Sequence, residues 1–357
     1  MNTRNFIPKL IILAGALSFT GAQCISFGGG STPAGSQGGV FKSINKGEQW
    51  QQKVAVPTPS GVGNFGGANI TALAVDPQDH LAIYAGTRES GMLYSFDGGE
   101  SWQKSADKDV ATGFVATVTV DPRNKCIIFV AVGNRILRSI DCNRTFEPIY
   151  NESAPFTYIS ALTSHPTNSL ILFAGTSKGA IMKSIDGGNT WSIHANLRNR
   201  IVDLIVDTSA SSSVYASIEG RGVWKSTDEG RSFKDMSEGM KQIKDGKDVR
   251  RLIADRATPG ALILASKNKV SRSTDGAVSW TVLPILSPET VEIFSLAVNP
   301  KNSKELYYGT ATTFYRSSDG GANWSADKLP SNRQSSVLLA DPENPSLIYL
   351  GVLELKK

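Results

Sequence analysis

Ser95–Trp102 reads SFDGGESW, and the same eight-residue pattern returns along the chain. Ser184–Trp191 is SIDGGNTW, Ser317–Trp324 is SSDGGANW, Ser273–Trp280 is STDGAVSW and Ser226–Phe233 is STDEGRSF. Weaker copies are Ser139–Phe146 (SIDCNRTF) and Ser43–Trp50 (SINKGEQW). The starts at 43, 95, 139, 184, 226, 273 and 317 are separated by steps of 52, 44, 45, 42, 47 and 44. A period in the forties marks a repeat architecture, which has to be read before any single residue.

Residues 70–103 show what one unit contains. ITALAV (Ile70–Val75) alternates and is rich in β-branched residues, so it reads as a strand. Asp76-Pro77-Gln78-Asp79 is turn chemistry. LAIYAGT and MLYSF are two more strands, and a fourth begins after the box. Four short antiparallel strands are the content of one propeller blade. Within the box, Asp97 can accept bonds from backbone N–H groups of the turn, while Gly98 and Gly99 permit positive φ. Ser95 can tie the turn to its strand, and Trp102 offers a flat surface to a neighbouring sheet. Five of the six tryptophans close a box, so the aromatic residues read as packing rather than as ligand contacts.

These boxes are similar to the Asp-box (BNR) repeat, and the surrounding VDP…IYAGT…GMLYSFDGGESW resembles the Asp-box propeller superfamily over residues 40–357. That superfamily includes sortilin-type ectodomains, xyloglucan-cleaving glycosidases, sialidases and photosystem II assembly factors. The resemblance implies a propeller whose boxes lie on the rim, away from the ligand face.

The ends of the chain complete the blade count. Gly39–Val54 holds only the second half of a unit, and residues 336–353 hold only the first half. Six complete repeats plus these halves predict an all-β, single seven-bladed β-propeller of four-stranded antiparallel blades. N-terminal outer strands pair with C-terminal inner strands, which removes exposed sheet edges. Met1–Gln23 reads as an export signal, with Arg4 and Lys9 before the apolar Leu10–Phe19. Cys24 follows it in a lipoprotein-like setting, although Gln23 departs from the usual small residue; a lipid anchor on Cys24 is the reading adopted, with simple cleavage or an uncleaved leader as alternatives. Residues 24–39 are a Gly- and Ser-rich tether. Cys126 and Cys142 lie eight residues either side of Asn134 in a predicted hairpin, which suits a disulfide; two buried free thiols are the alternative.

Composition narrows the function classes. The chain carries 37 basic and 32 acidic residues; without Arg4 and Lys9 the balance is 35 against 32, a net of +3. That is too mild for a nucleic-acid partner. The sequence offers no metal-ligand spacing, no cofactor loop, no partnered nucleophile and no nominated carboxylate pair, and it lacks the early Arg-Ile-Pro that the sialidase resemblance would imply. The xyloglucan-cleaving enzymes that this repeat resembles use two propellers facing across a cleft, whereas one is read here.

The insertions 55–69 and 236–248 connect blades and gather on the face opposite the boxes. Candidate contacts on that loop face are Arg88, Glu89, Arg198, Arg200 and Arg221, together with the basic run Lys241, Lys244, Lys247, Arg250 and Arg251. Met240–Lys244 is expected to form one helical turn. The reading adopted is an exported, lipid-anchored, monomeric and non-enzymatic propeller, located in the cell envelope or secreted, that binds a protein or polysaccharide on this face. The alternatives are an assembly factor engaging a client through the basic run, and a carbohydrate-active hydrolase.

Overall fold

A computed structural model describes residues 37–207 and 212–354, which fall within one compact unit, Thr32–Lys357. The leader, Cys24 and most of the tether lie outside the described residues. The described chain forms seven four-stranded antiparallel sheets and one extra two-stranded hairpin. Blade 1 runs from its inner strand Ile70–Asp76 through Asp79–Thr87 and Met92–Ser95 to the outer Gln103–Lys104. Blades 2 to 6 repeat this order, beginning at Val115, Ile159, Ile201, Val249 and Ser295. Blade 7 is composite: Gln334–Ala340 and Ile348–Leu353 pair with Gly39–Ser43 and then Gln51–Gln52. In its register Val40 faces Gly351 and Lys42 faces Tyr349. The inner strands pack side by side around a central channel, and 334–340 against 70–76 closes the ring.

Each blade is covered on both faces by its neighbours, so its second strand reads as a continuous apolar run rather than an alternating one. Leu172–Thr176, Val214–Ile218 and Leu262–Ser266 are buried throughout. The core is therefore a set of inter-blade layers. The box aromatics pack on the preceding blade: Trp191 against Tyr150 at 5.9 Å, and Trp50 edge-on to Phe314 at 5.2 Å. Glycine in the second strand allows the following blade to approach closely. A Cβ on Gly175 would stand 2.6 Å from Cβ of Ile201, the first inner residue of blade 4.

The box turns share one bonding pattern. Ser95 Oγ donates to Asp97 Oδ1 (2.7 Å) and accepts from Gly99 N (2.8 Å), while Ser101 Oγ donates to Asp97 Oδ2 (2.6 Å). Ser184, Asp186, Gly188 and Thr190 reproduce it. The hydroxyl and N–H of Thr190 and the hydroxyl of Ser184 pull the Asp186 carboxyl down to about 2, and Asn323 with Ser317 does the same to Asp319. A second device recurs beside the box. The basic residue ending the third strand donates to the box turn of the following blade: Lys42 to Gly98 O (2.7 Å), Arg138 to Gly187 O (2.8 Å) and Lys183 to Glu229 O (2.7 Å). In blade 2 Cys142 takes a box glycine position at φ 60° and is joined to Cys126 by a disulfide.

Three local expectations are corrected. The Gly-rich insertion 55–69 contains a hairpin, Ala55–Thr58 with Gly61–Asn64, because the Pro59-Ser60 turn lets Thr58 Oγ1 donate to Gly61 O (2.7 Å). The short helix near residue 240 is a 3₁₀ turn at Ser237–Met240, ending where the helical turn was expected to start. Arg250 and Arg251 lie on the inner strand Val249–Ala254 of blade 5, not in the loop before it, because buried Val249 and Leu252 anchor the strand on either side of them and Arg251 pairs with Ala265.

Candidate functional site

The loop face is assembled from the turns between second and third strands and from the blade connections. Arg88 and Glu89 sit in the blade 1 turn, where Ser90 N donates to Thr87 Oγ1 at 2.8 Å. Arg200 meets Glu219 at 3.5 Å, and Arg221 donates to Leu197 O at 2.9 Å while lying 5.6 Å from the Trp224 ring. These two arginines knit the blade 3–4 junction. Arg198 occupies an exposed turn at φ 67°.

The basic run does not form a basic patch. Lys241 pairs with Glu238 at 2.6 Å and Lys244 with Glu289 at 3.9 Å. Arg250 pairs with Asp248 at 3.5 Å and with Glu292 at 3.3 Å. Lys269 donates a hydrogen bond to Glu289, and this bond with the charge of Lys269 holds that carboxyl below its ordinary range. Lys247 is exposed and unpaired among the described residues. Glu238 and Asp248 are local to the run, whereas Glu289 and Glu292 come from the connection between blades 5 and 6, forty or more residues downstream, where sequence order hid them. An assembly role resting on a basic client-binding patch therefore loses its footing.

The channel is a cavity of about 640 Å³ lined by inner-strand residues. Beside it, equivalent positions of six inner strands line a smaller cavity of about 110 Å³ at the loop side: Ala72, Thr117, Ala161, Asp203, Arg251 and Val337. Two of these are charged and adjacent. Arg251 Nη2 stands 3.4 Å from Asp203 Oδ1, and Leu252 N donates to Asp203 Oδ2 at 2.8 Å. The pair bridges blades 4 and 5 where the other blades place small or apolar side chains. Sequence reasoning named Arg251 and missed Asp203. The available signal was IVDLIV (Ile201–Val206), in which an aspartate replaces the small residue of ITALAV and ISALTS. Among the described residues, no group of three or more His, Cys, Asp or Glu is placed to hold a metal. No helix among them is long and apolar enough to cross a membrane.

No protein-family model matches the chain. It is 23% identical over 264 residues to the xyloglucanase Xgh74A of Acetivibrio thermocellus, covering 69% of this chain and 28% of that protein. It thus spans about a third of the length of the xyloglucanases it matches. The GH74 enzyme of Niastella koreensis superposes with a TM-score of 0.67 at 17% identity, over 87% of this chain and 53% of the other. YCF48 from Cyanidioschyzon merolae superposes with a TM-score of 0.61 at 14% identity, over 84% of this chain and 98% of that one. The fold is a seven-bladed β-propeller resembling both. The sequence matches overturn the non-enzymatic binding reading, because the curated relatives, at 23% to 24% identity, are hydrolases.

Proposed function

We propose that this chain is a carbohydrate-active hydrolase of the Asp-box type acting on a xyloglucan-class polysaccharide. The observation that carries the reading is the sequence relationship to xyloglucanases over 68% to 81% of the chain. The loop face supplies the surface for the glycan, opposite the boxes. Glycoside hydrolysis needs two carboxyl groups flanking the bond. On this face Asp203 is held between the Arg251 guanidinium and the Leu252 N–H, at the mouth of the channel. Glu219, on the turn of the same blade, and Glu89, on the blade 1 turn, are more exposed carboxylates.

The same proposal covers export. Residues 1–23 are the signal, Cys24 is the lipid-anchored residue, 24–39 is the tether and 40–357 is the propeller, which places the enzyme where extracellular polysaccharide is met. Incubating the full chain with xyloglucan, cellulose and mannan, and following new reducing ends, tests the reading. Release from xyloglucan supports it. No release from any of the three, with no binding to xyloglucan, removes it. The Asp203→Asn variant tests that residue separately: unchanged release would relieve Asp203 of a catalytic role.

A further inference from the structure

The connection between blades 2 and 3 carries the most exposed large apolar side chain of the described fold. Phe156 is 97% exposed. Its backbone sits at φ 55°, the left-handed region that a bulky L-residue adopts only at a cost. Neighbours hold this strained turn from both sides. Lys178, from the blade 3 turn, donates to Pro155 O at 2.8 Å, and Thr157 Oγ1 donates to the same oxygen at 3.2 Å. Glu152 Oε1 accepts from Ala154 N at 2.8 Å, and Ser177 Oγ accepts from Tyr158 N at 3.1 Å. The chain thus spends strain and four hydrogen bonds to hold a phenyl ring out in water. Core packing explains none of this.

The ring borders an open cavity of about 460 Å³ between the Gly133-Asn134 turn of blade 2 and residues 152–158. Two aromatic rings, Phe156 and Tyr158, line it together with polar Asn134, Glu152, Ser153 and Thr157. Tyr158 is locked by an edge-on contact with Phe114 at 5.5 Å. Asn134 is oriented by bonds to Asn151 Oδ1 and Glu152 O, each 2.9 Å. Glu152 is oriented by the Tyr150 hydroxyl at 3.1 Å. A flat ring beside a few fixed polar groups suits one ligand chemistry well. A pyranose in a β-linked glucan turns its axial C–H bonds to its two faces and its hydroxyls to its edge. The face covers a phenyl ring, and the edge meets amide and carboxylate groups.

We infer that Phe156 is a sugar-stacking platform, and that Asn134 and Glu152 bind the edge hydroxyls of the same residue of a xyloglucan-type chain. The site lies on the loop face but outside the channel, so it holds the polymer away from Asp203. The inference rests on the proposed polysaccharide substrate.

Affinity electrophoresis of the full chain in native gels containing xyloglucan provides the test, with Phe156→Ala, Phe156→Gly and Phe156→Trp alongside. Wild type and Phe156→Trp should be retarded. The alanine and glycine variants should bind at least about tenfold more weakly. Phe156→Gly should melt no lower than wild type, because glycine relieves the positive φ; a purely structural role predicts the opposite. Retardation of Phe156→Ala and Phe156→Gly equal to wild type overturns the platform while leaving the polysaccharide reading in place. Failure of wild type to be retarded by, or to cleave, xyloglucan removes both.

Discussion

Gly175→Ala measures how closely the blades are stacked. Gly175 lies on the second strand of blade 3 without a positive φ, so its backbone accepts an alanine. At such a site, with open space, the substitution stabilises by about 0.4–1 kcal/mol through the unfolded chain. Here the new Cβ would meet Ile201 Cβ and Cγ2, both at 2.6 Å, and Ile201 is fully buried at the start of blade 4. A β-carbon cannot swing aside, so one strand has to shift. Overpacking of this kind costs about 1–3 kcal/mol, which outweighs the gain. Gly67→Ala is the control, because nothing lies within 4 Å of its Cβ position and its φ is ordinary. Urea unfolding followed by circular dichroism should show Gly175→Ala destabilised and Gly67→Ala neutral or stabilised. In a double-mutant cycle, Ile201→Ala alone should cost about 2–5 kcal/mol. Combined with Gly175→Ala it should recover only part of the overpacking, about 0.5–1 kcal/mol relative to additivity, because Cγ1 and Cγ2 of Ile201 are removed while its Cβ stays. A neutral Gly175→Ala, or a coupling of zero, would refute the packing argument.

Two further predictions concern the devices that repeat around the ring. Lys42→Met, at the closing blade, removes a buried ammonium that donates to Gly98 O and Glu100 and should cost about 1.5–3 kcal/mol in urea unfolding; an unchanged midpoint would mean the closure does not depend on it. The carboxyls of Asp186 and Asp319, lowered to about 2, contribute stability that is fully present above the ordinary carboxylate range and is lost as pH falls through about 2. Urea midpoints measured from pH 5 downwards should fall, and fall less in the Asp186→Asn, Asp319→Asn double variant; parallel curves would contradict the box hydrogen bonds.

The blade count was legible because it is written in local turn chemistry. Each box carries its own Ser, Asp and Gly within a few residues, and that geometry does not wait for the rest of the fold. The half-blades at the two ends were legible for the same reason. What escaped reading depends on residues brought together from different blades. Lys42, Arg138 and Lys183, each just before a box serine, look like ordinary surface charges until the following blade supplies their carbonyl acceptors. The run from Lys241 to Arg251 looks basic until Glu289 and Glu292 arrive from the next connection. Asp203 stood out only by its register within the inner strand, where blades other than 4 and 5 place small or apolar residues. Phe156 carried no sequence signal, because neither its exposure nor its backbone strain follows from its type. Function was the least legible, since a box that builds the scaffold in the same way in every blade says nothing about the face opposite it.

The most direct measurement is the product profile of xyloglucan after prolonged incubation with the purified full chain, read by mass spectrometry of the soluble oligosaccharides. The account predicts a discrete series of xyloglucan fragments that grows with enzyme and time and is absent with heat-denatured protein. A polymer that keeps its length under those conditions would contradict it.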